Sequence, residues 1–202
     1  MKIYWNQFEL DIPIFEIQNK HLVNAKMLPN REQLLENLPK NGIVAELGVD
    51  NGRFSEKILE INKPKKLHLI DIWDSARYSK NKEKKVFDMF KHLIKKGMVQ
   101  IHVGLAEEVS NNFKADYLFH IGAFTDLEYC EKNPDETYIT NVISVENAVN
   151  IANKLNIPLL FISTAGIFDG EKSLYDDWDK PNPLGIYARS KVISETYVKE
   201  NS

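Results

Sequence analysis

Three residues in the carboxyl-terminal part of the chain have types and spacings suited to proton transfer. Tyr187 and Lys191 are four residues apart in a predicted helix that begins near Gly185, so both side chains would lie on one helix face. A free tyrosine titrates near ~10, and an ammonium one turn away favours the phenolate and moves the pKa toward neutrality. Thr164 lies upstream, where its hydroxyl could hold a substrate oxygen while Tyr187 exchanges a proton. This set predicts acid–base chemistry at a carbonyl or hydroxyl group.

A strand and a proline-containing loop are predicted to position these residues. Residues 159–162 are apolar and typical of a buried parallel strand, which would carry Ser163 and Thr164 at its carboxyl end. Open α/β sheets bind their ligands at that end. A loop with Gly170 and two prolines then leads directly into Tyr187. A tyrosine–lysine pair at this spacing is common by itself. Its combination with a serine–threonine pair at a strand end and a proline-containing loop is more specific.

The segment 116–202 resembles the extended short-chain dehydrogenase/reductases, most closely the dTDP-4-dehydrorhamnose reductase-like branch. The resemblance is carried by STAGIFDG, by YARSK and by HIGAFTDLEYCEKNP, with Ala188 where that family usually has glycine. It implies that Thr164 and Tyr187 bind and protonate a sugar carbonyl or hydroxyl, and that Lys191 also holds the nicotinamide ribose. It further implies NAD(P) as the cofactor, with Gly122 and Ala123 beside it. The small-molecule substrate would be a nucleotide sugar or another sugar.

A second group of candidate residues surrounds a glycine turn in the amino-terminal half. Residues 42–48 predict a strand, 53–61 a helix and 66–71 a second buried strand, which together form the first half of a nucleotide-binding βαβ unit. The carboxylate of Asp71 could accept hydrogen bonds from both hydroxyls of a ribose. The turn ELGVDNG lacks the glycine spacing of a dinucleotide site and contains Asp50, which would repel a diphosphate.

Residues 1–113 resemble the class I S-adenosylmethionine-dependent methyltransferases of the small, sugar O-methyltransferase-like kind. The segment VAELGVDNGRFSEKILEINKPKKLHLIDIWDS carries this resemblance. It implies that Glu46, Gly48 and Gly52 line the cofactor and that Asp71 holds its ribose. S-adenosylmethionine has a positive sulfonium and no phosphate, so Asp50 would not repel it. The acidic, histidine-containing segment that usually follows the fourth strand in that family is replaced here by GAFTD.

The spacing of the predicted elements indicates one α/β domain. We expect a single Rossmann-like, doubly wound parallel sheet in three α/β/α layers. Residues 1–38 would form an N-terminal arm and a short helix, and 39–202 the domain, with a methyltransferase-like half (39–113) and a reductase-like half (114–202). Five strands are predicted. The sixth strand and the C-terminal substrate domain of the reductase family are expected to be absent.

Two longer helices are predicted in the middle of the chain. One is amphipathic, lies within 74–98 and ends at Gly97, and its lysines are interpreted as a solvated face. The other covers 135–156 and would turn five apolar side chains inward: Ile139, Val142, Val145, Val149 and Ala152. His120 and Cys130 are interpreted as packing residues. For Asn141, a polar surface position and a role near the site are both left open.

Composition narrows the function classes. The chain has 202 residues and a net charge of −3, which gives no reason to expect nucleic acid or an anionic membrane as a partner. A single cysteine fits a reducing cytosol, and no signal peptide, membrane-length apolar run or metal site is predicted, so we expect a cytoplasmic protein. The apolar arm 1–29 is expected to pack on its own domain, and the alternatives are a homodimer contact or a lid.

The sequence is compatible with three functions. The first is an NAD(P)-dependent reductase or epimerase-like protein that acts on a nucleotide sugar. The second is an S-adenosylmethionine-dependent methyltransferase. The third is a catalytically idle Rossmann module that binds a nucleotide or a partner.

Overall fold

The computed structural model describes residues 30–74, 79–109, 113–176 and 178–201. The predicted arm 1–29 lies outside the described residues. Five strands form one sheet in the order β3-β2-β1-β4-β5, and every neighbouring pair is parallel. Their bounds are Ile43–Leu47 (β1), Lys66–Asp71 (β2), Val99–Val103 (β3), Tyr117–His120 (β4) and Leu159–Phe161 (β5). This order reverses direction between β1 and β4, as it does in nucleotide-binding doubly wound sheets.

The helices follow the strands along the chain. Their bounds are Arg31–Asn37 (α1), Arg53–Ile61 (α2), Lys80–Lys95 (α3), Ala106–Val109 (α4), Leu127–Lys132 (α5), Pro134–Tyr138 (α6), Ser144–Leu155 (α7) and Ile186–Asn201 (α8). A π-helical turn, Ile139–Ile143, joins α6 to α7, and a 3₁₀ turn, Ala165–Ile167, follows β5. Asn30 caps α1 because its side chain accepts a hydrogen bond from the backbone N–H of Gln33 at 2.9 Å. No helix in these ranges is long and apolar enough to cross a membrane.

Two hydrophobic cores lie on opposite faces of the sheet. On one face, Val44 and Leu69 of the sheet pack with α1, α2 and α3, whose buried side chains include Ile58 and Phe90. On the other face, Leu47, Ile70 and Leu118 pack with α7 through Ala148 and Ile151. Side chains alternate between the two faces along each strand, which explains why the strand sequences are apolar throughout. The predicted Rossmann-like, three-layer fold is confirmed.

The predicted helix 135–156 is the element that differs most. It is interrupted by the π-helical turn, in which an extra residue per turn changes the direction in which the following side chains point. The prediction that Ile139 faces inward is therefore wrong, because this side chain is 59% exposed. Asn141 is instead buried, at 1% exposure. The other four predicted inward residues, Val142, Val145, Val149 and Ala152, are buried.

Candidate functional site

A cleft of about 780 Å³ opens at the carboxyl ends of β1, β2 and β4. Five of the six predicted cofactor-binding residues line it: Glu46, Gly48, Asp71, Gly122 and Ala123. The cleft lies where the strand order reverses, which is the usual ligand position in an open α/β sheet. The structure thus brings together residues from both halves of the sequence.

Two glycines form the floor of the cleft by direct backbone contact. Gly48 has φ of +83°, and a Cβ atom on it would lie 2.1 Å from the Cα of Gly122. The N–H groups of Ile121 and Gly122 both donate to the carbonyl of Leu47, at 3.0 and 3.1 Å. A side chain at position 48 would push the ends of β1 and β4 apart, so a glycine is required there.

Gly52 does not line the cleft, in contrast to its predicted role. It is the N-cap residue of α2, with φ of +81°, and a Cβ there would lie 3.1 Å from Phe90 and 3.3 Å from Met89 of α3. Its glycine is explained by the left-handed backbone and by close packing of α2 on α3. The prediction that it contacts a cofactor finds no support in this position.

Asp71 holds the turn between β1 and α2 in place. Its two carboxylate oxygens accept hydrogen bonds from the backbone N–H groups of Asp50, at 2.9 Å, and Trp73, at 3.2 Å. The indole of Trp73 in turn donates to the carbonyl of Asp50 at 2.8 Å. Burial raises the pKa of Asp71, and these backbone hydrogen bonds oppose that effect. Asp71 also lines the cleft, where its carboxylate could bind a ligand hydroxyl.

Asp50 is less repulsive to an anion than the sequence indicated. It forms an ion pair with Lys82 of α3, and both side chains line the cleft. The pairing of Asp50 with a cation reduces the negative charge that a diphosphate would meet.

Glu46 is fully buried and also lines the cleft. Its Oε2 accepts a hydrogen bond from the hydroxyl of Ser55 at 2.6 Å, whereas its Oε1 has no partner among the described residues. Burial raises the pKa of Glu46 to about 8, with a smaller contribution from the charge of Asp71 and against the effect of the Ser55 hydrogen bond. Glu46 is therefore mostly a neutral acid at neutral pH.

His120 ends β4 and lines the cleft while it is only 3% exposed. Its Nε2 lies 3.1 Å from Oγ of Ser144, whose hydroxyl donates to the carbonyl of Thr140. Because that serine proton is already used, Nε2 of His120 carries the proton in this pair, by assignment from the network. Burial, and to a lesser extent the charge of Lys191, lower the pKa of His120 to about 4, so it is neutral at neutral pH. The predicted packing role agrees with its burial.

Thr164, Tyr187 and Lys191 lie outside the cleft lining, around the carboxyl end of β5. Thr164 follows β5, and its hydroxyl accepts a hydrogen bond from the N–H of Gly166 at 3.1 Å. Tyr187 is half-buried at the second position of α8, and Lys191 lies four residues further along that helix.

Lys191 is buried and fixed to the end of β5. Its Nζ donates to the carbonyl of Ile162 at 2.6 Å and lies 4.1 Å from the centre of the Phe161 ring. Burial lowers the pKa of Lys191 to about 8. The ring of Phe161 also lies beside that of His120, with 6.1 Å between centroids, so Lys191 and the cleft are close neighbours.

Asn141 connects the wall of the cleft to the helix of Tyr187. Its side chain accepts from the N–H of Phe124 at 2.7 Å and donates to the carbonyl of the same residue at 3.0 Å. It also donates to the hydroxyl of Ser190 at 3.0 Å, which in turn donates to the carbonyl of Tyr187 at 2.6 Å. Of the two interpretations left open for Asn141, this network excludes the polar surface position.

Glu131 was not identified from the sequence. Its Oε1 accepts a hydrogen bond at 2.7 Å from the N–H of Ile186, the first residue of α8. A Cβ on Gly185 would lie 2.8 Å from the same oxygen, so the glycine leaves room for the carboxylate. The two groups are 55 residues apart, and no local pattern in the sequence predicts their contact.

The loop between β5 and α8 has its own polar network. Asp169 accepts hydrogen bonds from the hydroxyl of Tyr175, the side chain of Asn182 at 2.8 Å and the N–H of Glu171 at 3.0 Å. These bonds lower the pKa of Asp169 to about 2, with the Tyr175 bond the largest cause. The ring of Tyr175 stacks on Phe168 with 4.5 Å between centroids. The loop is therefore ordered by its own contacts.

A parallel sheet with a cleft at its reversal point defines a Rossmann-like α/β domain. The family model of the RmlD substrate binding domain matches residues 82–202, more than half of the chain. The chain belongs to this family. The match begins well before residue 116, so it includes part of the segment that resembled methyltransferases.

Relatives and solved structures agree with this assignment. The chain is 30% identical over 94 residues to a probable low-salt glycan biosynthesis reductase of Haloferax volcanii, covering 46% of this chain and 31% of that protein. A dTDP-4-dehydrorhamnose reductase of Bacillus anthracis in complex with NADP has a TM-score of 0.55 and 20% identity, covering 82% of this chain and 51% of that chain. A UDP-glucuronic acid 4-epimerase of Bacillus cereus in complex with NAD and a fluorinated UDP-sugar has a TM-score of 0.65 and 14% identity, covering 79% and 52%.

These comparisons support the reductase resemblance and give no support to the methyltransferase resemblance or to S-adenosylmethionine. At such low identities the two solved structures show a shared fold. The chain spans about a third of the length of the Haloferax reductase and about half that of the two solved chains.

Proposed function

We propose that this chain forms the cofactor-binding and proton-transfer part of an NAD(P)-dependent reductase or epimerase that acts on a nucleotide sugar. One observation carries the proposal. Lys191 carries a buried ammonium group and lies one helical turn after Tyr187. Its hydrogen bond to the carbonyl of Ile162 fixes it to the chain two residues before Thr164. Burial of a lysine ammonium costs folding free energy, here offset in part by the charge of Glu195 one turn along α8, and such a cost is expected where the charge serves chemistry.

The residues of the cleft suit a nicotinamide dinucleotide. The contact of Gly48 with Gly122 leaves a stretch of bare backbone on the floor of the cleft, and the carboxylate of Asp71 lines the cleft where it could bind a ribose hydroxyl. Ile72 and Leu105 line the cleft with half-exposed apolar side chains, which could cover an adenine ring. Arg53 supplies positive charge near the turn, and Lys82 offsets the negative charge of Asp50. The bound nicotinamide would exchange a hydride with the substrate carbon.

In the direction of reduction, Tyr187 would give its phenolic proton to the substrate oxygen. The hydroxyl of Thr164 would hold the same oxygen by a hydrogen bond. The ammonium of Lys191 would stabilise the negative charge that develops on the phenol oxygen as the proton leaves. In the reverse direction the phenolate would take the proton back, so one set of residues would suit both reductase and epimerase chemistry.

Replacement of Tyr187 by phenylalanine tests this function. We expect Tyr187→Phe to slow NADPH-dependent reduction of a dTDP-4-dehydro sugar by about 100-fold or more, since general acid catalysis typically contributes that much. Cofactor affinity should change by less than about threefold. Tyr197→Phe, on the same helix α8, is the matched control and should retain the wild-type rate. An unchanged rate in Tyr187→Phe would reject the proposed role.

A second candidate, S-adenosylmethionine-dependent methyl transfer, is favoured by the charges around the β1–α2 turn. The cleft is lined by more carboxylates than cations: Asp50, Asp71 and Asp74 compared with Arg53 and Lys82. A cofactor with a sulfonium and an ammonium group would be attracted there. Calorimetric titration with NADH, NADPH, S-adenosylmethionine and S-adenosylhomocysteine in parallel separates the candidates. Binding of nicotinamide nucleotides alone supports the reductase, and binding of S-adenosylmethionine alone supports the methyltransferase. No binding of the four would favour a non-catalytic module.

A further inference from the structure

The cleft contains a buried acid that the proposed proton transfer does not use. Glu46 lies on β1 between Leu69 of β2 and Phe119 of β4, its partners in the sheet register. The side chain is fully buried on the face covered by α2, yet it lines the cleft. One carboxyl oxygen, Oε2, is bonded to Ser55, and Oε1 has no partner in the described part of the chain. A buried polar atom without a partner in a cleft indicates a position for a ligand group.

The hydrogen-bond pattern determines where the proton of Glu46 lies. The hydroxyl of Ser55 has a single proton, and it is donated to Oε2. With the Ser55 proton assigned to that bond, the proton of a neutral Glu46 lies on Oε1. The burial described above, which raises the pKa of Glu46 to about 8, keeps this acid neutral at neutral pH. Glu46 then carries an O–H donor that has no acceptor among the described residues.

The surrounding charges do not favour the carboxylate form. Charged or titratable side chains lie on each element that borders this part of the cleft: Asp50 in the β1–α2 turn, Arg53 on α2, Asp71 on β2, Asp74 after β2, Lys82 on α3 and His120 on β4. The ammonium of Lys82 is paired with Asp50, and His120 is neutral at neutral pH. The charge of Asp71 acts against ionisation of Glu46.

We propose that Glu46 is a ligand-binding residue that donates a hydrogen bond from Oε1 to an uncharged or anionic acceptor atom of the nucleotide bound in the cleft. The proposal rests on the proposed function in that NADH and NADPH are the ligands used to test it. A ligand with a cationic group at this position would need the carboxylate instead. The two kinds of ligand therefore predict opposite dependences of affinity on pH.

The test measures NADH and NADPH affinity by calorimetry at pH values on both sides of about 8. In the wild type we expect affinity to weaken as pH rises above about 8, approaching tenfold per pH unit, because only the protonated acid can donate. Glu46→Gln should show a weaker dependence than the wild type over the same range, since the amide keeps both a donor and an acceptor for Ser55 and only the titration of Lys191, also near pH 8, remains. Glu56→Gln, which changes an exposed acid on α2, should retain the wild-type dependence.

The outcomes separate this proposal from the proposed function. If NADH and NADPH bind with the same dependence on pH in the wild type and in Glu46→Gln, the role of Glu46 is rejected and the proposed function stands. If neither binds, but ADP binds with the predicted dependence, the proposed function is rejected and the role of Glu46 stands. Affinity for S-adenosylmethionine that tightens as pH rises, without nicotinamide binding, overturns both.

Infrared difference spectra provide a readout that needs no ligand. We expect a band of a protonated carboxylic acid at neutral pH in the wild type, absent from Glu46→Gln and lost as pH rises through about 8. Addition of NADH should lower the frequency of this band, because the carboxyl group gains a hydrogen bond. A carboxylate band at neutral pH for Glu46 would overturn the proposal.

Discussion

The two ends of the site differ in how completely their polar groups are paired. Around β5 and α8, Lys191 is bonded to a carbonyl, Thr164 to a backbone N–H, and Asp169 to three donors. In the cleft at β1 and β2, one carboxyl oxygen of Glu46 has no hydrogen-bond partner among the described residues. The backbone of Gly48 packs directly against that of Gly122. In the first region the lysine, the threonine and the aspartate are bonded before any ligand binds, and one buried atom, Oγ of Ser163, has no partner among the described residues. The second has spare hydrogen-bonding capacity that a ligand could use.

This difference has a parallel in the family match. The family model begins at residue 82, so it includes Thr164, Tyr187 and Lys191 but not the β1–α2 turn. The region around β5 and α8 therefore resembles a known family, whereas the turn with Glu46 and Asp50 does not match it. We infer that experiments on proton transfer can be designed from the known family, whereas the choice of cofactor has to be measured on this chain.

The largest expected effect comes from the backbone contact on the cleft side. Gly48→Ala should reduce the free energy of unfolding by about 3 kcal/mol or more, since it combines a positive φ with a Cβ 2.1 Å from Gly122. Gly170→Ala, in the loop before α8, is the control: Gly170 has φ of +81°, but no described residue apart from its chain neighbours lies within 4 Å of a Cβ built there, so a loss of about 1 kcal/mol is expected. Urea denaturation measures both. Equal losses would show that the contact with Gly122 contributes nothing to stability.

The second prediction concerns the buried acid and the dependence of stability on pH. The pKa of Glu46 is about 8 in the folded protein and 4.5 as an unperturbed group, so between these values the folded state binds more protons than the unfolded state. Stability should therefore fall as pH rises from 4.5 to about 8, by on the order of 5 kcal/mol from this group. In Glu46→Gln this contribution should disappear.

The control for that measurement is Glu56→Gln, whose side chain is exposed on α2. It should unfold with the wild-type dependence on pH. A flat stability profile of the wild type across this range would contradict the assigned protonation of Glu46. Urea midpoints collected at several pH values are sufficient to decide.

The third prediction separates function from stability on the α8 side. Lys191→Met should reduce turnover by about 100-fold, because no charge then stabilises the phenolate of Tyr187. The folded pKa of Lys191, about 8, is below its ordinary value of 10.5, so the unfolded state binds more protons between these values. Wild-type stability should rise as pH increases from about 8 to 10.5, and this rise should be absent in the methionine variant.

The same titration predicts the pH profile of the enzyme. Wild-type activity should decline above pH about 8 as the ammonium of Lys191 is lost. Lys199→Met, at an exposed position on α8, is the matched control and should keep both the rate and the stability profile. Full activity in Lys191→Met would remove this residue from the proton-transfer set.

The sequence was sufficient for the fold because the relevant signals are local. The bounds of α2 and β2 agree with those predicted, since each is an apolar or amphipathic run that ends at an acid or a polar turn. The candidate residues of the cleft followed from the same logic, because strand ends meet at one edge of the sheet.

The rest of the site depends on contacts between distant residues. A π-helical turn buries Asn141 and exposes Ile139, and the spacing of apolar residues at the α-helical period of 3.6 does not predict such a turn. Asn141 forms hydrogen bonds with Phe124 and Ser190, which are 17 and 49 residues away in the sequence. The ion pair of Asp50 with Lys82 likewise joins positions 32 residues apart. Pairing of this kind is decided by packing of the whole domain, so periodicity and spacing could not predict it.

The smallest expected effect concerns how α8 begins. The first N–H group of α8, that of Ile186 just before Tyr187, has no acceptor within the helix and donates instead to the carboxylate of Glu131. Glu131→Ala should cost about 1 kcal/mol of stability and raise hydrogen exchange in the first turn of α8, while Glu131→Gln, which keeps an acceptor oxygen, should restore most of the protection. Turnover should fall in proportion to that loss of order, with little change in KM. If exchange in the first turn is unchanged in Glu131→Ala, the carboxylate does not hold the helix start, and the position of Tyr187 must depend on the Asn141–Ser190 hydrogen bonds alone.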